Sequence, residues 1–147
     1  MNASTPRPEV AALCLISLGG GLGSVARYAV GQAWPTDPGQ LPYSTLTINL
    51  TGSLLLGLLV VAVTEIWPPH RLVRPFLGTG ILGGYTTFSA FAVVTRGLSG
   101  ALAVTYLMLS VLGGIMAASL AMAALRRAVP ARESAHEMVD PIDPELP

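Results

Sequence analysis

The sequence predicts an all-α membrane protein with four transmembrane helices, and three observations support this fold class. Hydrophobic residues make up 52% of the 147 residues and charged residues only 11%, with a mean hydropathy of +0.62, unlike ordinary soluble domains. Four apolar stretches reach the roughly 20 residues that a membrane-spanning helix needs. Residues typical of turns separate them. The stretches cover residues 10–33, 44–66, 73–97 and 100–127.

The first predicted helix, 10–33, follows Arg7 and superficially resembles a secretory signal. Its glycine-rich centre and the three apolar stretches after it favour a retained helix. The run "GGGLGS" at 19–24 matches nucleotide-binding loops only weakly, whereas Gly19 and Gly23 form the GxxxG spacing of tightly packed membrane helices. Arg27 is the one charged residue well inside an apolar stretch.

The second helix, 44–66, lies between the turn-forming segments "WPTDPGQLP" and "WPPHR". Asn49, Gly52 and Ser53 share one helical face, and Ser53 and Gly57 repeat the small-residue spacing. An amide has four hydrogen bonds to satisfy, which makes Asn49 a candidate for binding rather than for helix packing alone.

The third helix contains "GILGGYTTFSAF" at 80–91. Gly83 and Gly84 each cost roughly 1 kcal/mol relative to alanine in a helix, and the β-branched Thr86 and Thr87 follow at once. We therefore predict that Gly83 to Thr86 break this helix near its middle. Backbone groups freed in a membrane are tolerated only where they are buried or line a cavity, and carbonyl oxygens suit a small hard cation such as Na⁺.

Neutral hydrogen-bonding groups and phenyl rings then suggest an anion pathway. Phe88 and Phe91 project to one side of the second half of helix 3, and a phenyl edge carries partial positive charge. Tyr106 and Ser110 share a face of helix 4 with Gly113 and Gly114. The alternative, that these groups only pack or hydrogen-bond the bundle together, stays open at this point.

Catalytic and metal-hydrolysis chemistry is not expected, because the sequence has no cluster of histidine, cysteine and carboxylate residues. A proton-coupled cation or multidrug antiporter is less favoured, since it needs a titratable carboxylate deep in the membrane and the predicted helices have none away from their ends. A purely structural membrane protein remains the other alternative.

The arginines predict an orientation. If successive loops alternate sides, one side holds six of the eight arginines, which favours cytoplasmic termini in a cell membrane. They are Arg7, Arg71, Arg74, Arg126, Arg127 and Arg132, against Arg27 and Arg96. Outside the four-helix transmembrane domain, 10–129, lie a short N-terminal segment, 1–9, and an acidic, proline-rich tail, 130–147, which is predicted to be disordered.

Three motifs, in this order and spacing, resemble those of the CrcB/Fluc family of fluoride channels. They are "GGGLGSVARY" at 19–28, "STLTINLTGSLLLG" at 44–57 and "GILGGYTTFSAF" at 80–91, and the similarity covers about residues 12–127. The resemblance implies a fluoride-selective channel, not an enzyme, that exports fluoride passively and protects the cell from its toxicity. It also implies an antiparallel, dual-topology dimer with two narrow pores.

The same resemblance assigns roles to particular residues. A structural Na⁺ at the dimer centre would be held by the backbone carbonyls of Gly83 and Thr86, and Arg27 would lie near the aqueous mouth. The fluoride pathway would comprise Asn49, Thr87, Phe88, Phe91, Tyr106 and Ser110.

Two features depart from the family's pattern. Where the family's polar track can continue with a hydroxyl one turn beyond Ser110, this chain has Gly114. A chain that inserts in both orientations should also have nearly balanced loops, yet the arginines divide six to two. The partner is therefore either a second copy or an oppositely biased paralogous subunit.

Overall fold

The computed structural model describes residues 8–37, 39–68 and 71–129, and within them every regular element is helical. The elements are α1, Pro8–Ala33; α2, Tyr43–Val61; π1, Ala62–Ile66; π2, Pro75–Leu82; α3, Gly83–Tyr85; α4, Phe88–Gly97; and α5, Gly100–Ala128. They form four spans long and apolar enough to cross a membrane: Glu9–Ala33, Tyr43–Ile66, Pro75–Gly97 and Gly100–Ala128. The predicted all-α, four-helix class is confirmed. The predictions for residues 1–7 and for the 130–147 tail lie outside the described residues.

Helix α1 packs parallel to π2 and α3 through glycines. A methyl group built on Gly19 would lie 2.7 Å from the Phe76 carbonyl oxygen, and one built on Gly80 would lie 3.1 Å from the Gly19 Cα atom. One turn further on, a methyl group on Gly23 or Gly84 would collide with the facing backbone. The predicted GxxxG packing is confirmed, because only glycine lets these two backbones approach so closely.

Helices α2 and α5 form the second parallel pair. A methyl group on Gly57 would lie 2.5 Å from the Ala118 carbonyl oxygen, so the two backbones touch there. Near the end of this pair, Arg126 Nε donates to Glu65 Oε1 at 2.8 Å. Both side chains are about half exposed, and exposed ion pairs contribute little to stability. Small residues therefore hold the pair together.

Most apolar side chains of the described residues face outward. Only Ile48, Val61, Leu82, Tyr106 and Ala121 form a buried apolar core. Large side chains on α1 and α5, such as Leu18 and Leu120, are exposed. Such surfaces suit a chain that is surrounded by lipid or by another subunit.

The third span breaks near its middle, as predicted, but not at the glycines. Gly83 keeps helical dihedrals, φ −63° and ψ −35°, and the helix continues to Tyr85. The backbone becomes extended at Thr86, ψ 160°, and at Thr87, φ −149° and ψ 119°. The predicted start of the break at Gly83 is therefore wrong. Gly84 serves packing against α1, and the β-branched threonines carry the extended conformation.

Two stretches, π1 and π2, are π-helices rather than α-helices, and the sequence did not predict them. In π1 the bonding runs five residues back, since the Trp67 N–H donates to the Ala62 carbonyl at 2.8 Å. At the end of π2 the Gly83 N–H bonds the Gly78 carbonyl in the same manner. Such turns are rare and often accompany functional sites. Here π2 leads directly into the broken segment.

Candidate functional site

Asn49 of α2 holds the break in helix 3 with both ends of its amide. The Thr87 N–H donates to Asn49 Oδ1 at 3.1 Å, and Asn49 Nδ2 donates to the Thr87 carbonyl at 3.4 Å. In an unbroken α-helix the Thr87 N–H would bond the Gly83 carbonyl four residues earlier. Asn49 therefore replaces that bond, and the Gly83 carbonyl loses its ordinary helical partner.

Three further contacts tie the residues before the break to α1 and α2. Arg27 Nη1 donates to the Thr86 carbonyl at 3.2 Å, and Ser24 Oγ reaches the Gly84 carbonyl at 3.5 Å. Tyr85 Oη lies 2.9 Å from Thr51 Oγ1. Freed backbone groups in a membrane need such partners, so neighbouring helices stabilise the extended segment.

Helix α4 starts at the break with a capped N-terminus. Thr87 Oγ1 accepts from the Ala90 N–H at 3.1 Å and lies 3.2 Å from Ser89 Oγ. The N-terminus of a helix carries partial positive charge, which favours an anion nearby. The break thus directs the positive end of α4 toward the space beside Asn49.

That space is a cavity of about 430 Å³ between α2, α5 and the broken span. Five of the six predicted pathway residues line it: Asn49, Thr87, Phe88, Phe91 and Ser110. Gly83 and Thr86, predicted to hold Na⁺, line it too. Among the described residues, no charged side chain contributes to its wall. The structure therefore brings the predicted pathway residues and the predicted Na⁺ ligands to one cavity, although the sequence placed them on three different helices.

Tyr106, the sixth predicted pathway residue, lies behind the cavity wall rather than in it. Phe88, Phe91 and Tyr106 form a chain of rings with centroids 5.7 and 5.4 Å apart. Tyr106 is fully buried, and neither its Oη nor Ser110 Oγ has a hydrogen-bond partner among the described residues. Buried hydroxyls without partners are uncommon and call for an explanation.

Arg27, predicted near the aqueous mouth, contacts the break instead of the cavity wall. Its guanidinium is partly buried, and within the described part of the chain it makes no ion pair. The positive charge therefore lies beside the Thr86 carbonyl, and no carboxylate of the described residues forms an ion pair with it. An anion close to the break is favoured by this charge.

Ser53 is a cavity residue that the sequence placed on the Asn49 face of the second helix but did not include among the predicted pathway residues. It lies one helical turn after Asn49 and lines the same cavity. A methyl group on Gly114 would lie 3.1 Å from Ser53 Oγ. The hydroxyl that α5 lacks at position 114 is therefore supplied at that point by α2. In the sequence, the position of Ser53 four residues after Asn49 indicates that both side chains lie on the same helical face.

The backbone carbonyls are the available cation ligands at this site. No group of three or more histidine, cysteine or carboxylate residues that could hold a metal occurs in the described ranges. The Gly83 carbonyl has lost its helical partner to Asn49, and the Thr86 carbonyl accepts one bond from Arg27 and retains a second lone pair. These hard oxygen donors are of the type that would hold a cation such as Na⁺, and the nearby Arg27 charge would oppose its binding.

Comparisons with known proteins identify the family of this chain. The profile of the family described as "CrcB-like protein, Camphor Resistance (CrcB)" matches residues 14–122. The chain is 50% identical over 96 residues to "Fluoride-specific ion channel FluC 2" of Nocardia farcinica, covering 65% of this chain and 69% of that protein.

Two Streptomyces proteins are also similar. Identity is 51% over 81 residues to "Fluoride-specific ion channel FluC 2" of Streptomyces avermitilis, which covers 55% of this chain and 51% of that protein. It is 43% over 132 residues to "Fluoride-specific ion channel FluC 1" of Streptomyces coelicolor, with 87% of this chain and 86% of that protein covered. The match at residues 14–122 includes most of the first and fourth spans, both middle spans and the broken segment, and the chain belongs to the CrcB-like family.

Proposed function

We propose that the protein is a fluoride-specific ion channel that lets fluoride leave the cell passively and so lowers its toxicity. The observation that carries this proposal is the cavity beside the broken third span, which gathers Asn49, Thr87, Phe88, Phe91 and Ser110 without a carboxylate. The names of the relatives support fluoride as the permeant ion.

The lining suits a small, strongly hydrated anion. Asn49 uses one N–H on Thr87, and its second N–H is available to the cavity. The N-terminus of α4 and the edges of Phe88 and Phe91 add partial positive charge. Replacing hydration water with such donors lowers the barrier to anion entry, whereas a carboxylate would repel the ion.

We also propose that the working unit is an antiparallel dimer with Na⁺ at its centre. Gly83 and Thr86 of one chain would supply two carbonyls, and a second chain would complete the set of oxygen ligands. Phe88 is 80% exposed and lines the open cavity, as expected if a partner closes it. The ion would hold the two broken segments together and would not be transported.

The partner is either a second copy or a paralogous subunit of opposite orientation. The described arginines support an orientation preference: Arg71, Arg74, Arg126 and Arg127 lie at the end where α2 finishes. This end is proposed to be cytoplasmic, with both termini on that side.

Growth of bacteria that lack fluoride export tests the proposal in cells. Expression of this chain should restore growth in fluoride, and Asn49→Asp, which puts a negative charge in the cavity, should not. Equal protection by both forms would contradict an anion route past Asn49. An unchanged fluoride sensitivity with well-expressed protein, both for the chain alone and for the chain with an oppositely oriented paralogue, would favour a structural role or a cation transporter.

A further inference from the structure

A second recess lies between α2, π1 and π2, on the arginine-rich end of the bundle. Its volume is about 240 Å³, and its apolar wall includes Leu56, Val60 and Val63. Gly78 lines the other side, where a methyl group would lie in ordinary contact with Leu59 Cδ2, at 3.6 Å. We call this recess the Arg74 groove, because Arg74 lines its outer end.

The groove is somewhat shorter than the hydrocarbon part of one membrane leaflet. Its lining on the second span runs from Thr64 back to Leu56, a distance of about 12 Å at the rise of an α-helix. Half of the hydrocarbon core measures about 15 Å. The groove therefore leads from the membrane surface toward the middle of the bilayer.

The outer end of the groove is polar and positively charged. Arg74 lines it together with the hydroxyl-bearing Thr64, and Arg74 is exposed. Within the described residues Arg74 takes part in no ion pair, whereas Arg126 is paired with Glu65.

The whole end of the bundle shares this positive charge. Counting the described residues there gives four arginines and two glutamates, hence a net charge of +2. They are Arg71, Arg74, Arg126 and Arg127 with Glu9 and Glu65.

We propose that the Arg74 groove binds one anionic phospholipid. The phosphate would contact the Arg74 guanidinium, and one acyl chain would lie along Leu56 and Val60. Basic pockets between transmembrane helices bind anionic headgroups in this manner. The recess between α2 and α5 differs, because its described lining has no polar side chain and so offers nothing to select a headgroup.

Native mass spectrometry of the purified full-length protein tests this assignment. The protein is equilibrated with micelles that contain equal amounts of phosphatidylglycerol and phosphatidylcholine, and the retained lipids are counted. Wild type should retain one phosphatidylglycerol per chain in preference to phosphatidylcholine. Arg74→Gln should lower phosphatidylglycerol retention about fivefold, and Gly78→Leu, which fills the groove, should lower the retention of both lipids. Arg127→Gln removes a charge from the same end of the bundle outside the groove, and should change little.

Three results would overturn the proposal. Unchanged phosphatidylglycerol retention in Arg74→Gln is one, and an equal loss in Arg127→Gln, meaning general attraction to the basic end, is another. A change of oligomeric state in Arg74→Gln without a change in retained lipid would make the groove a subunit interface. Because the assay measures no fluoride, its outcome is independent of the proposed channel function.

Discussion

Asn49 links the fold to the proposed pathway, because one amide both holds the break and lines the cavity. In the sequence, the four hydrogen bonds that an amide has to satisfy indicated that Asn49 is more than a packing residue. It could not show the partner, since Thr87 is 38 residues away along the chain and the contact exists only in the folded bundle.

Asn49→Asp should lower fluoride flux at least tenfold. The carboxylate can still accept the Thr87 N–H, but it loses the Nδ2 donor and brings a negative charge next to the Thr87 carbonyl and the anion route. The measurement is fluoride efflux from liposomes, with Thr45→Ala, earlier on the same helix, as a matched control. Wild-type flux in Asn49→Asp would remove this residue from the pathway.

Replacing Phe88 and Phe91 with isoleucine should distinguish the effect of each ring on fluoride flux from its effect on protein stability. Phe88 is 80% exposed in the single chain, so Phe88→Ile should lower flux with little effect on unfolding. Phe91 lies 5.4 Å from the Tyr106 ring, so Phe91→Ile should lower flux and also cost about 1 kcal/mol of stability. Flux assays and thermal unfolding in detergent check both. Full flux in the double variant, with the dimer intact, would mean that the rings only pack.

The third span shows how far local sequence rules reach for one helix. Glycine propensity and β-branching predicted a break, and a break is present. The rules misplaced it because they include the cost of about 1 kcal/mol per glycine but not the close packing of Gly84 against α1. The competing hydrogen bond from Asn49 then fixes the extended residues at Thr86 and Thr87. The packing of Gly84 and the hydrogen bond from Asn49 both depend on contacts between helices. They therefore cannot be predicted from any short segment of the sequence.

Gly23→Ala should destabilise the pairing of α1 with the third span. Its added methyl group would collide with the Ile81 carbonyl oxygen, and overpacking of this kind costs about 1–3 kcal/mol. Gly21→Ala is the matched control on the same helix, because a methyl group there meets nothing within 4 Å. Thermal unfolding in detergent should show a lower midpoint for Gly23→Ala only. Equal midpoints would mean that the two helices are not held by this contact.

Because α2 and α5 touch at Ser53 and Gly114, we expect that a hydroxyl at position 114 can replace the Ser53 hydroxyl. Ser53→Ala should lower fluoride flux, and Gly114→Ser should crowd Ser53 Oγ, which lies 3.1 Å from the added Cβ position. The double variant Ser53→Gly, Gly114→Ser moves the hydroxyl to α5 and should recover flux relative to Ser53→Ala. Flux in the double variant no higher than in Ser53→Ala would show that the hydroxyl at this point does not serve the ion.

The assembled chain leaves much of its apolar surface and one side of its cavity uncovered. Composition and hydropathy were sufficient to predict four membrane spans, because the bilayer imposes length and apolarity on each one. The gathering of the pathway residues around one cavity could not be predicted from the residues alone. It depends on the parallel pairing of α1 with the third span and of α2 with α5, which brings three helices to the break.

Fluoride efflux from proteoliposomes tests the central claim most directly. The purified chain is reconstituted with Na⁺ on both sides, a voltage is set with a K⁺ gradient and a K⁺ ionophore, and a fluoride electrode reads the release. The account predicts rapid, voltage-driven fluoride release that exceeds chloride release and is suppressed in Asn49→Asp. Robust release from the pure chain would also exclude an obligate heterodimer. Release no faster than from protein-free liposomes, both with the chain alone and with an oppositely oriented paralogue, would contradict the account.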